Sequence, residues 1–433
     1  MQDLLSFDQS PPLAAPLRFF LTAPLFAILA GLTLLASGPD ALASRWTPAM
    51  LALTHLVAVG FMLQVMLGAL LQIMPVVAGA NMAHPLRVAA LVHGALSFGT
   101  LLLAAAFLTY VPALFRLAAI ALGAGVAVFV VAATRALYGI ASPSPTIQGL
   151  KHALAGLAVT VALGVAMSVA LGWSLNLPLL QLADIHLGWG FVGWGVVLLA
   201  AVAYVVVPMF QITPAYPDWF SRRFSSAALA AATLWTIAEA LGWSVVSTVL
   251  GALVVGVAAL FAAITLAVQR GSKRARFDAT QHYWRGAMLS ALAAGVLWLA
   301  ARTLAPVGDW QGWPLLCGVL VLFGAFMSVI VGMLYKIVPF LIWLHLQNRG
   351  QAARVAAPNM KRIIAARDMD RQLLAHFSAC ALLLLAVCWP AAFVYPAGIA
   401  LVVANGWLLR NLLAALAVHR QHLREIERVI GAQ

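Results

Sequence analysis

Thr54-His55-Leu56-Val57-Ala58-Val59-Gly60-Phe61-Met62-Leu63-Gln64-Val65-Met66 runs on without a charged residue to Ile73-Met74-Pro75. As a helix such a stretch is long enough to cross about 30 Å of hydrocarbon. Its ending recurs. Val206-Val207-Pro208 and Ile337-Val338-Pro339 close two other apolar runs, with prolines 133 and 131 residues apart (208 − 75 and 339 − 208). Fifteen residues before each proline stands a glycine: Gly60, Gly193 and Gly324. A fixed internal period is read before anything else, because it defines the unit from which the fold is built.

Composition gives that period its setting. Hydrophobic residues make up 64% of the 433 and charged residues only 9%, and the mean hydropathy is +1.00. These values exclude an ordinary soluble domain. Twelve apolar segments follow one another: 17–37, 48–79, 85–109, 112–136, 147–173, 178–210, 225–243, 245–269, 284–305, 314–345, 372–393 and 395–418. Lipid offers backbone groups no hydrogen-bond partner, so each segment reads as a helix. The expected fold is an all-α integral membrane protein with twelve transmembrane helices.

The net charge of +13 is spread unevenly along the chain. Arg222 and Arg223 lie between segments 6 and 7, and Arg270, Lys273, Arg274, Arg276 and Arg285 follow segment 8. Between segments 10 and 11 stand Arg349, Arg354, Lys361, Arg362, Arg367 and Arg371, whereas the opposite loops hold little beyond Arg45, Arg116 and Arg302. The bias places the even-numbered loops and both termini in the cytoplasm of a bacterial-type inner membrane. It is a topology signal and not a nucleic-acid footprint. No basic n-region and cleavage site read as a removable signal peptide. Cys317, Cys380 and Cys388 all fall inside apolar segments, which makes a disulfide framework a poor expectation.

Four segments per period give three repeats: residues 1–140, 146–270 and 281–418, with 419–433 as a cytoplasmic tail. Lys151-His152 opens segment 5 and Gln281-His282 opens segment 9, in the same register. Tyr204 and Tyr335 each stand four residues before their proline.

Three four-helix units with long second helices carrying histidines resemble the heme-copper oxidase subunit I superfamily, the cytochrome oxidases and nitric oxide reductases. The Thr54–Met66 stretch resembles that family's second helix, whose histidine binds the low-spin heme. Asp184-Ile185-His186-Leu187-Gly188-Trp189-Gly190 resembles a His and Gly-Trp pattern in smaller relatives, and Gly332 to Phe340 resembles the end of the tenth helix. The NnrS-type heme membrane proteins are a more distant likeness. The chain also departs from the family. The helix 10 histidine pair falls on Cys317 and Val319, and helix 7 offers Glu239 where the copper ligands belong. The resemblance therefore implies no binuclear site, and terminal oxidase activity is not expected.

His55 lies 20 residues before Pro75 and His186 lies 22 before Pro208. Two residues turn an α-helix by about 200°, so the two point differently within their repeats. Carried through the family's geometry, that offset implies that His55 and His186 face each other and hold a b-type heme between helices 2 and 6. Gly60 and Gly193, with Gly188 and Gly190, would leave room for the macrocycle. The alternative is two buried polar side chains bonding neighbouring helices across glycines that permit close packing. Ionisable groups inside a membrane default to function. Asp184 and Glu239, with His186, form a second candidate set for a non-heme metal, although Asp184 and His186 point to opposite sides. They also read as a proton path or as interfacial residues. His93 and His376, the latter four residues before Cys380, are metal candidates or helix-packing residues.

Two further function classes compete with a heme protein. Internal repeats and proline-interrupted helices also occur in transporters, and a degenerate ligand set suits an assembly or scaffold subunit. The resemblance implies a cytochrome or other electron donor as partner, together with the bilayer. No Walker loop, His-Glu-x-x-His or Gly-x-Ser-x-Gly pattern is present in the sequence.

Overall fold

The computed structural model describes residues 11–353 and 355–431. Arg354, residues 1–10 of the first expected repeat and the last two residues of the tail lie outside the described residues. All regular structure among the described residues is helical. Twelve long helices follow in order: α1 (Ala14–Ser37), α2 (Pro48–Ala78), α3 (Pro85–Thr109), α4 (Pro112–Leu137), α5 (Pro145–Trp173), α6 (Leu179–Gln211), α7 (Asp218–Ala240), α8 (Ser244–Arg270), α9 (Ala279–Thr303), α10 (Trp313–Ala353), α11 (Ala366–Cys388) and α12 (Pro390–Gly431).

Eleven of these are long and apolar enough to cross a membrane, against the twelve expected. The exception is α7. It is a full helix, but its Ala, Ser and Thr content, with Arg222, Arg223 and Glu239, leaves it less apolar than the others. Two boundaries also move. The break between the last two helices falls at Trp389-Pro390, where proline takes the first helical position. The tail expected from residue 419 is the continuation of α12 to Gly431.

Proline opens α2, α3, α4, α5 and α12, where its fixed φ suits the helix and its missing N–H costs nothing. Asp278 caps α9, its Oδ1 accepting from the Gln281 N–H at 3.1 Å and the Thr280 hydroxyl at 2.6 Å. Ile212 ends α6 at φ 54°, a left-handed conformation costly for a β-branched residue. Two bonds offset it: Lys273 N–H donates to the Ile212 carbonyl at 2.9 Å, and Arg274 Nη2 donates to the Phe210 carbonyl at 2.7 Å.

The three second helices share an irregularity. α2 is a π-helix over Leu56–Leu63, α6 over Trp189–Val196 and α10 over Leu320–Met327. Each stretch is eight residues long, begins 19 before its proline (75 − 56, 208 − 189, 339 − 320) and has its glycine in fifth place. π-Helical turns are rare and concentrate at functional sites.

The chain divides into two compact units. One contains Leu70–Ala275 and Met288–Cys317. Within it α3 pairs with α4, α4 with α5, α5 with α6 and α7 with α8. The other contains Pro12–Ala69, Arg276–Ala287 and the chain from Gly318 onward. There α1 runs along α12, α11 pairs with α12, and the π stretches of α2 and α10 touch each other. Lipid is as apolar as leucine, so close approach of small residues does much of the holding. At the α1–α12 crossing a Cβ on Gly31 would lie 3.0 Å from the Gly398 carbonyl oxygen.

Candidate functional site

His186 sits on α6 three residues before its π stretch and lies against α5. The facing residues on α5 are small and spaced by four: Gly156, Thr160 and Gly164. That spacing puts them on one stripe. A Cβ on Gly164 would stand 3.0 Å from His186 Cε1, so the missing side chain makes the space the imidazole occupies. His186 Nδ1 then donates to the Thr160 main-chain carbonyl at 2.9 Å. One turn earlier a Cβ on Gly156 would fall 2.0 Å from the Gly193 carbonyl oxygen. Only glycine at 156 lets α5 touch the π stretch backbone to backbone. On the other side Trp189 Nε1 donates to Thr236 Oγ1 at 2.9 Å, tying the same stretch to α7.

His55 immediately precedes the π stretch of α2, and its Nδ1 donates to the Leu51 carbonyl at 2.8 Å. Both histidines are half-buried. A carbonyl can only accept, so Nδ1 carries the proton in each and the lone pair of the neutral ring is on Nε2. Metal-ligating histidines are oriented in this way, the second ring nitrogen donating to a carbonyl or carboxylate that fixes tautomer and ring plane. At Gly60 a Cβ would meet the Phe26 ring at 2.4 Å, so this glycine serves the packing of α1 on the first π stretch. Gly193 serves the approach of Trp189, whose Cε3 would lie 2.6 Å from a Cβ there.

The third π stretch has no histidine at its head, yet one reaches it from α11. Ser328 Oγ donates to the Phe323 carbonyl, five residues back, at 3.1 Å. It accepts in turn from His376 Nε2 on α11 at 2.8 Å. His376 is fully buried, packs on the Tyr283 ring and has the Cys380 sulfur 3.7 Å from Nε2. Tyr283 donates to Gln372, which donates to the Ala404 carbonyl at 3.1 Å. His376 is thus part of a hydrogen-bonded interior network, in keeping with the packing alternative.

Among the described residues no three His, Cys, Asp or Glu side chains come close enough to hold a metal ion. The Glu239 carboxylate accepts from the Ser247 hydroxyl at 2.5 Å, and its main-chain carbonyl accepts from Gln181 Nε2. These bonds tie Glu239 to the ends of α6 and α8. Asp184 is half-buried two residues from His186, where helical geometry turns it to another side. His93 is half-buried on α3.

Sequence reasoning did not pick out Thr160, Gly164 or Ser328. The four-residue spacing of Gly156, Thr160 and Gly164 was the available signal for the first two. It also missed an ion pair inside one unit, Lys336 Nζ to Asp278 Oδ2 at 2.7 Å. Burial alone would raise the Asp278 carboxyl, but the Lys336 hydrogen bond, with Thr280 and Gln281, more than reverses this and holds it below its ordinary value. No protein-family model matches this chain, and no curated protein matches it either.

Proposed function

We propose that this chain is an oxidase-like membrane protein, built of three four-helix repeats, that binds one b-type heme through His55 and His186. The observation that carries the reading is the tautomer. Each of the two histidines heading a π stretch donates Nδ1–H to a main-chain carbonyl, which puts the lone pair of the neutral ring on Nε2, the nitrogen that would bind the iron. The equal spacing of the three π stretches supports the repeats, and pairing the two histidines on one iron is what the resemblance to the oxidase family implies for their offset.

A heme held by His55 and His186 would supply one-electron exchange at a potential tuned by its apolar surroundings, or a binding site for a diatomic gas such as NO or O2. The chain's own part is to fix two neutral imidazoles and to exclude water from them. Without the binuclear-site ligands it is a relay or gas-binding protein and not a terminal oxidase. It would take electrons from a cytochrome or similar donor and lie in a bacterial-type inner membrane with both termini in the cytoplasm. Pyridine hemochrome quantification on detergent-purified protein tests this. One heme b per chain is expected. Protein made with adequate heme supply that contains none would move transport or scaffolding to the front.

A further inference from the structure

At the far end of α10 and α12, away from the π stretches in sequence, two more histidines meet. The rings of His345 and His419 have centroids 5.1 Å apart and planes inclined at 57°. His419 is 8% exposed. Both its ring nitrogens are shut off from solvent, and neither has a hydrogen-bond partner. A buried imidazole carries one N–H and one lone pair, and native interiors rarely leave such groups unmatched, so the ring calls for a ligand outside the protein chain. Backbone hydrogen bonding does not account for it, in contrast to the nearby His422, whose Nδ1 meets the Val418 main-chain carbonyl.

The ring separation fits two ligands on one ion. Imidazole nitrogens bind Zn2+ at about 2.0–2.1 Å, and the ring centroid lies roughly 1.1 Å behind the nitrogen. Two imidazoles on one ion at a tetrahedral angle therefore place their centroids about 5.2 Å apart. The observed 5.1 Å matches a pair of adjacent ligands on a single ion.

We propose that His345 and His419 form a two-histidine site for a borderline divalent cation of the Zn2+ class, joining the ends of α10 and α12. No three ligating side chains converge among the described residues, so water completes the coordination through the half-buried His345 side. Arg349 and Arg420 stand close by in sequence and are both exposed, so solvent screens their charge. Their sign lowers cation affinity, which restricts the site to metals that imidazole binds strongly, Zn2+ before Mg2+ or Ca2+.

The test is Zn2+ titration of the full-length protein, purified through a histidine-free tag, read by isothermal calorimetry and by the apparent melting temperature. Saturable binding of one Zn2+ per chain and a rise in melting temperature are expected, with Mg2+ inert. Both effects should be lost in His345→Gln and in His419→Gln, and retained in His422→Gln, three residues along α12. If His419→Gln does not fold, His345→Gln decides alone, because His345 is the less buried of the two. Absence of Zn2+ binding by the unaltered protein overturns the proposal, as does binding that survives His345→Gln.

Discussion

Gly156→Ala should destabilise this protein although alanine is the better helix former. At an open helical position the exchange gains up to about 1 kcal/mol. At 156 the new Cβ would lie 2.0 Å from the Gly193 carbonyl oxygen and 2.4 Å from its carbon, and ordinary contact begins near 3.4 Å. The obstacle is backbone, which no rotamer change can move aside, so α5 must separate from the π stretch by about 1.4 Å. Overpacking of this kind costs about 1–3 kcal/mol or more. A shift of that size at Gly156 also draws Thr160, one turn on, away from His186 Nδ1, now at 2.9 Å, losing a hydrogen bond of about 0.5–1.5 kcal/mol. The propensity gain cancels one of these losses, leaving a net destabilisation of roughly 1–3 kcal/mol. Gly256→Ala on α8 is the control, since a Cβ there meets nothing within 4 Å. Thermal unfolding in one detergent should rank Gly256→Ala at or above the unaltered protein and Gly156→Ala below it. A Gly156→Ala protein that melts with or above the parent would refute the close approach of α5 to the π stretch.

Three further outcomes follow from contacts inside single units. Asp278→Asn should cost about 1–3 kcal/mol, between the values for exposed and buried pairs, because both partners of the Lys336 bridge keep a quarter or so of their exposure. Since the folded carboxyl titrates below its ordinary 3.8, this contribution is complete above about pH 4 and is lost as pH falls through the folded value. The parent but not Asp278→Asn should therefore lose stability in that window, as read by melting temperature against pH. Arg274→Ala removes the bond to the Phe210 carbonyl that holds the left-handed end of α6, and should cost about 1–3 kcal/mol with faster proteolytic cleavage near Ile212; unchanged cleavage would show that the cap is dispensable. His376→Leu should destabilise more than His376→Gln, because the glutamine amide nitrogen takes the place of Nε2 and still donates to Ser328 Oγ, whereas leucine leaves that oxygen without its donor. Equal melting of the two variants would remove the network from the account.

Much of the fold was legible because lipid imposes a coarse rule: an apolar run of sufficient length is a helix. The segments 85–109 and 112–136 reappear as Pro85–Thr109 and Pro112–Leu137. The sequence reading strayed where a helix extends beyond its apolar part: α7 begins at Asp218, ahead of the segment 225–243, and α12 runs on past residue 418 to Gly431. The π stretches were invisible as such, since a bulge changes the hydrogen-bonding register and not the residue types. Only the recurring glycine marked the place. The candidate site was half legible. His55 and His186 stand out as ionisable groups in apolar runs, but their partners are the main-chain carbonyls of Leu51 and Thr160, and a backbone acceptor leaves no trace in a sequence. The His376–Ser328 bond and the Asp278–Lys336 pair join residues 48 and 58 positions apart, beyond any helical spacing.

The most direct test of the central claim is a reduced-minus-oxidised visible spectrum of the purified protein beside His55→Ala and His186→Ala, with His376→Asn as a histidine control. Sharp low-spin b-type bands in the parent and in His376→Asn, abolished in both alanine variants, are the predicted result. Bands that persist in either alanine variant, or a folded parent with no heme bands at all, would contradict it.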